Sequence, residues 1–173
     1  LSFNPFAVMA GRFRLIALLG LLGLVAGCQV RPLYDEASGT QQSLGSIAFS
    51  SADDRVELEV RNQLIFLVAG GAGEPAAPEY TVDLKVKSET IGVLLEQSSD
   101  TPRAGRVVVS ADYTLSRTKD GTVLRMAHRQ SVALVDFPEQ EFAKLRAIRD
   151  AENRAARELA ELIRADLAAA LSR

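Results

Sequence analysis

The chain has 173 residues, with 20 basic and 22 acidic side chains, a formal charge of −2, one cysteine and one histidine. This slight acidity argues against a nucleic-acid binder, which normally carries a basic excess. A single Cys and a single His exclude a disulfide framework and the usual zinc ligand sets, and they leave no clear Ser-His-acid arrangement.

The first element is a leader. Arg12 and Arg14 precede an apolar block from Leu15 to Ala26, which ends in Val25-Ala26-Gly27-Cys28. A basic start, a short apolar run and small residues at a cut site make the pattern of a secretory signal peptide. The block falls well short of the roughly 20 residues that a helix needs to span a bilayer. Met9 opens a more typical signal than Leu1, so the sequence offers two candidate starts. Small residues followed directly by Cys28 resemble the lipobox of bacterial lipoproteins. That resemblance implies cleavage after Gly27, a diacylglycerol on the Cys28 thiol and an acyl group on the new amino terminus. The expected organisation is a signal peptide over residues 1–27, a lipidated N-terminus and tether over 28–43, and a single domain over 44–173.

Gln29 to Ser43 is rich in polar and turn-forming residues and reads as a tether. Leu44 to Ser50, with Ile47 and Phe49 alternating against small residues, predicts a short strand. Ser50 and Ser51 then offer hydroxyl caps to a helix, with Asp53 and Asp54 suiting its positive end. Val56, Val60, Leu64, Leu67 and Val68 form its apolar stripe, and Gly70-Gly71 stops it.

Three strands follow. Tyr80 to Leu95 alternates Tyr80, Val82, Leu84 and Val86 against Thr81, Asp83, Lys85 and Lys87, as a half-buried strand does. Arg106 to Arg117 returns after a polar turn, and Asp120-Gly121 marks a tight hairpin to a strand from about Thr122 to Asp136. On this last strand Leu124, Met126, Val132 and Leu134 share a face that is expected to meet the helices. His128 falls on the same side and reads as a hydrogen-bonded core residue. From Glu139 to Leu171 the chain is dominated by helix formers. The expected stripe is Phe142, Leu145, Ile148, Ala151, Ala155, Leu159, Leu162 and Ile163. The order βαβββα predicts a two-layer α+β domain, a mixed, largely antiparallel four-stranded sheet with both amphipathic helices on one face.

Cys28 followed by Arg31-Pro32-Leu33-Tyr34 resembles the start of a mature lipopolysaccharide-assembly lipoprotein of the LptE family, alphaproteobacterial type. Val60-Arg61-Asn62-Gln63-Leu64, the Gly70-Gly71 stop, Pro78-Glu79-Tyr80 and the Ala-Arg-rich last helix resemble the same family, although Gln29-Val30 stands where the family often has Gly-Phe. The resemblance implies a non-enzymatic outer-membrane lipoprotein on the periplasmic side. It would sit in the lumen of an LptD-type β-barrel partner and contact lipopolysaccharide as it enters the outer leaflet, with no cofactor beyond the lipid on Cys28. Phosphate-bearing lipopolysaccharide calls for Lys and Arg. Lys85, Lys87, Arg125 and Arg129 are the expected binding residues, on the premise that all four line the sheet face away from the helices, with Arg106 and Arg117 near the strand ends; the alternative is a solvated sheet face charged for solubility. The run Ile91, Val93, Leu94 and Leu95 is a candidate hairpin tip for a partner or acyl chains, or else a strand end packed on the last helix. Two other functions fit less of the chain: an auxiliary lipoprotein of an envelope ABC transport system for phospholipids or solvents, and a tethered periplasmic hydrolase.

Overall fold

The computed structural model describes residues 39–95 and 102–172, all within Leu33–Arg173, the second of two units into which the chain divides. Cys28 and the residues read as a leader lie outside the described residues. In chain order the elements are α1 (Thr40–Gly45), β1 (Ile47–Phe49), α2 (Arg55–Ala69), β2 (Tyr80–Leu95), β3 (Pro102–Arg117), β4 (Val123–Asp136) and α3 (Glu141–Leu171). The domain is α+β, with a four-stranded mixed sheet in the order β1-β2-β3-β4.

Strict alternation builds the sheet. β2, β3 and β4 form an antiparallel meander, with Val86 opposite Ala111 and Ala111 opposite Arg129. The turn to β4 closes at Gly121, whose φ of 68° is the left-handed value that Asp-Gly favours. β1 runs parallel to the start of β2, pairing Ile47 with Tyr80 and Phe49 with Val82. The helix-facing side carries Val82, Leu84, Val107, Val109, Tyr113 and Leu115, all essentially buried.

The helix α2 buries Val56, Val60, Leu64 and Val68 against this face. Each side chain of that size stabilises by about 1.5–3 kcal/mol when fully removed from water. Its cap is not a serine. Asp54 stands at the N-cap and accepts a hydrogen bond from the Glu57 N–H at 2.9 Å, because the helix begins three residues later than the serines suggest. Ser50 instead braces the sheet, its hydroxyl meeting the backbone N–H and C=O of Leu84 beyond the end of β1. Gly70, at φ 59°, ends the helix in the left-handed conformation.

The short helix α1 was not expected. It occupies the end of the segment read as tether, where Thr40 and Leu44 are buried. Burial, not the polarity of Gln41, Gln42 and Ser43, decides the conformation there.

The long helix α3 buries Ala151, Ala155, Ala156, Leu159, Ala160, Ile163, Leu167 and Ala168. Phe142, Leu145 and Leu162, expected in its stripe, are exposed. The two helices meet at the start of α2, where Arg55 bonds Glu152 and Asn153. The first three turns of α3 therefore run ahead of α2, and Phe142 and Leu145 have no helix to pack against.

The phase of β4 is the main departure. Arg125, Ala127, Arg129, Ser131, Ala133 and Val135 lie opposite helix-facing residues of β3, while Met126, Val132 and Leu134 point outward. The expected face was the reverse. Ala127, Ser131 and Ala133 pack closely against the Ala-rich face of α3, while the longer Arg125 and Arg129 reach past them to Asp166. His128 points outward as well, exposed, with its Nδ1 2.8 Å from Asp112 Oδ1.

Candidate functional site

The four cations expected on one face stand on two. Lys85 and Lys87 project outward from β2, whereas Arg125 and Arg129 project from β4 toward the helices. The inversion of β4 is the cause.

On the helix side, Asp166 of α3 gathers three groups. Tyr113 donates its hydroxyl hydrogen bond at 2.6 Å, Arg129 donates from Nε at 2.7 Å and from a terminal nitrogen at 2.8 Å, and Arg125 reaches it at 3.4 Å. Burial pushes the Tyr113 phenol up to about 12, reinforced by its bond to Asp166. Burial would also raise the Asp166 carboxyl, but the hydrogen bonds from Arg129 and Tyr113 outweigh it and hold the group below the usual carboxylate range. Fork-shaped guanidinium contact with a carboxylate is among the stronger polar interactions. It ties the end of α3 to β3 and β4. Arg125 and Arg129 are thus engaged by Asp166 on the helix side of the sheet, although both stay partly exposed.

The outward face is open. Lys85 bonds Asp53 at 2.8 Å, and that bond raises its pKa. Lys87 and Arg106 are exposed and have no ion-pair partner among the described residues. The register then sets Ile91 beside Arg106 and Leu134, and Glu89 beside Val108 and Val132. Leu134, Val132 and Val93 are substantially exposed. The far end of this face therefore combines free cations with apolar side chains. Ile91 and Val93 belong to the hairpin run noted in the sequence, and the side chains of Leu94 and Leu95 lie outside the described ones. Arg106 stands on this face near a strand end, as the sequence placed it, whereas Val132 and Leu134 were missed as site residues. The alternation of β3 placed Arg106 outward from the start, but for β4 hydrophobicity alone pointed the wrong way.

Among the described residues, no group of three or more His, Cys, Asp or Glu side chains is placed to hold a metal ion. No described helix is long and apolar enough to cross a membrane.

The architecture is that of solved bacterial lipoproteins. A crystal structure of a candidate lipoprotein from Caulobacter crescentus is 25% identical, covers 78% of this chain and 96% of its own, and superposes with a TM-score of 0.65. The rare lipoprotein B of Shewanella oneidensis, at 15% identity, covers 71% of this chain and 93% of its own, with a TM-score of 0.51. Lipoprotein B of Nitrosomonas europaea, at 11% identity, covers 71% and 81%, with a TM-score of 0.55. The last two show the shared fold alone. The model of the LptE family, lipopolysaccharide-assembly, matches residues 43–167, so the chain belongs to that family. A comparison with curated protein sequences gives no match.

Proposed function

We propose that this chain is an outer-membrane lipoprotein subunit of the lipopolysaccharide translocon. It is held to the membrane by acyl chains on Cys28, docks in an LptD-type β-barrel, and contacts lipopolysaccharide during its insertion into the outer leaflet. It works by binding, without a cofactor and without breaking a bond. The observation that carries this reading is the family match over 43–167, which spans α2 and the whole meander. The leader ending at Cys28 supports the anchor.

The outward sheet face is the surface we assign to lipopolysaccharide. Lys87 and Arg106, with Lys85 beside them, meet phosphate through charge-assisted hydrogen bonds. Ile91, Val108, Val132 and Leu134 offer apolar contact to acyl chains. Arg125 and Arg129, held by Asp166, contribute to the fold beneath this surface.

Lys87→Glu with Arg106→Glu should weaken binding of purified lipopolysaccharide about tenfold or more while leaving the melting temperature within about 2 °C, as expected of exposed positions. Unchanged binding would return those residues to ordinary surface. After mild crosslinking in the native envelope, co-isolation of a large outer-membrane barrel supports the translocon reading, whereas an inner-membrane ATPase complex would replace it with the auxiliary-lipoprotein reading. Mass spectrometry of the native protein tests the anchor, and a bare Cys28 thiol would remove it.

A further inference from the structure

β1 covers only the start of the β2 edge, from Tyr80 to Val82. Side chains take over beyond it. Ser50 bonds the backbone of Leu84, and Glu57 Oε2 accepts from the Val86 N–H at 3.3 Å. Those bonds show that the even-numbered residues of β2 direct their backbone groups away from β3. By the same alternation the Val86 C=O and the N–H and C=O of Ser88 and Thr90 point to the open edge. Among the described residues nothing pairs with them. Residues 87–90 are exposed in an unbroken run. The run is bounded on one side by Ser50 and Glu57 and on the other by the register shift after Gly92.

A bare edge of this kind is a template for another strand. Its charges say which. Lys87 and Glu89 flank Ser88 on the outward face, and neither has an ion-pair partner among the described residues. We propose that this edge is self-complementary: two copies of the chain pair antiparallel over residues 86–90 about a twofold axis at Ser88. Ser88 then exchanges both backbone bonds with its counterpart, and each Thr90 N–H reaches the other copy's Val86 C=O. The same register places Lys87 directly opposite Glu89 of the second copy, twice over. The Val86 N–H stays with Glu57. A ladder this short makes a transient dimer, well below the size of a standard stable interface, formed by chains that are not docked in a barrel and whose Lys87 is free of lipopolysaccharide.

The register supplies its own test. In an antiparallel ladder, residues 87 and 89 of opposite copies form a non-hydrogen-bonded pair with Cα atoms about 4.5 Å apart, within disulfide range. Two residues 87 lie diagonally, at about 7–8 Å, as do two residues 89. Full-length chains carrying Lys87→Cys and Glu89→Cys, each with a different tag, are produced together in cells exposed to the thiol oxidant diamide. A chain with neither substitution accounts for Cys28. The expected result is a disulfide-linked dimer of one copy of each variant, absent when either variant is made alone. Failure of that dimer to exceed the single-variant controls would overturn the proposal. Charge reversal provides an independent readout by co-isolation of differently tagged copies. Lys87→Glu should weaken pairing roughly two- to thirtyfold, and adding Glu89→Lys should restore it by exchanging the two partners. Pairing that ignores Lys87→Glu, or is not restored by the exchange, would equally overturn it.

Discussion

Replacing Asp166 with alanine tests whether the carboxylate beneath β4 holds the two layers together. The change removes an acceptor that lies 2.6 Å from the Tyr113 hydroxyl and 2.7 and 2.8 Å from two nitrogens of Arg129, with Arg125 at 3.4 Å. Two guanidinium groups are then left facing each other without a counter-charge. Breaking a fully buried ion pair costs about 3–5 kcal/mol, whereas a surface pair is worth about 0–1 kcal/mol. The Asp166 side chain is 15% exposed, but those of Arg125 and Arg129 are 36% and 42% exposed, so solvent screens part of the loss. The working figure for Asp166→Ala is about 2–3 kcal/mol, between those limits. At this chain length that lowers the melting temperature by about 5–10 °C. Circular dichroism melts of the protein measure it directly. Adding Arg129→Ala to Asp166→Ala should cost less than the two single losses summed, because it removes one of the stranded cations. A melting temperature within about 1 °C of the parent, or strictly additive losses, would refute the reasoning.

Three further outcomes follow from the packing of the sheet. A Cβ on Gly105 would lie 2.4 Å from Phe137 Cζ and 2.7 Å from the Ile91 carbonyl oxygen. Gly105→Ala should therefore destabilise by about 1–3 kcal/mol, read from denaturant melts, and an unchanged midpoint would show that the ring moves freely. The Tyr113 phenol rises from 10.0 to about 12 in the fold, so between those values the unfolded chain loses its proton while the folded one keeps it. Stability should fall as pH rises through that window, and Tyr113→Phe should flatten this alkaline limb. Asp166 acts in the opposite direction: its folded pKa is lowered, so its stabilisation is present above the ordinary carboxylate value of 3.8 and is lost as pH falls through the lower folded value.

Alternation and glycine punctuation made most of the sheet readable. β2 runs from Tyr80 to Leu95 as its pattern predicts, and Gly70 and Gly121 take the positive φ that helix end and hairpin require. What periodicity lacks is a sense of which face is inside. On β3 the two faces differ plainly, Val107, Val109 and Leu115 against Ser110, Asp112 and Ser116. On β4 the outward side holds Met126, Val132 and Leu134, and the inward side holds two arginines with Ala127 and Ala133. Size of the gap under α3 and the partner waiting at Asp166 decide the matter, and both belong to a helix some forty positions away. The candidate site inherits that error directly. Lys85 and Lys87 stood on a strand of unambiguous phase and project as expected, while Arg125 and Arg129 turn inward with their strand. The cap at Asp54 and the buried turn at Thr40 show the same limit: several residues fit each role by type, and tertiary contact selects one.

Asp166 lies in the last helix of the domain, yet it engages side chains from β3 and β4. A polypeptide synthesised from its amino terminus makes both arginines long before their counter-ion exists. Until the final helix arrives, two arginines of β4 stand on the helix side of the meander without this counter-ion, and the last turns of α3 supply it. Completion of the domain therefore waits on the last turns of α3, and their loss would leave Arg125 and Arg129 without their carboxylate.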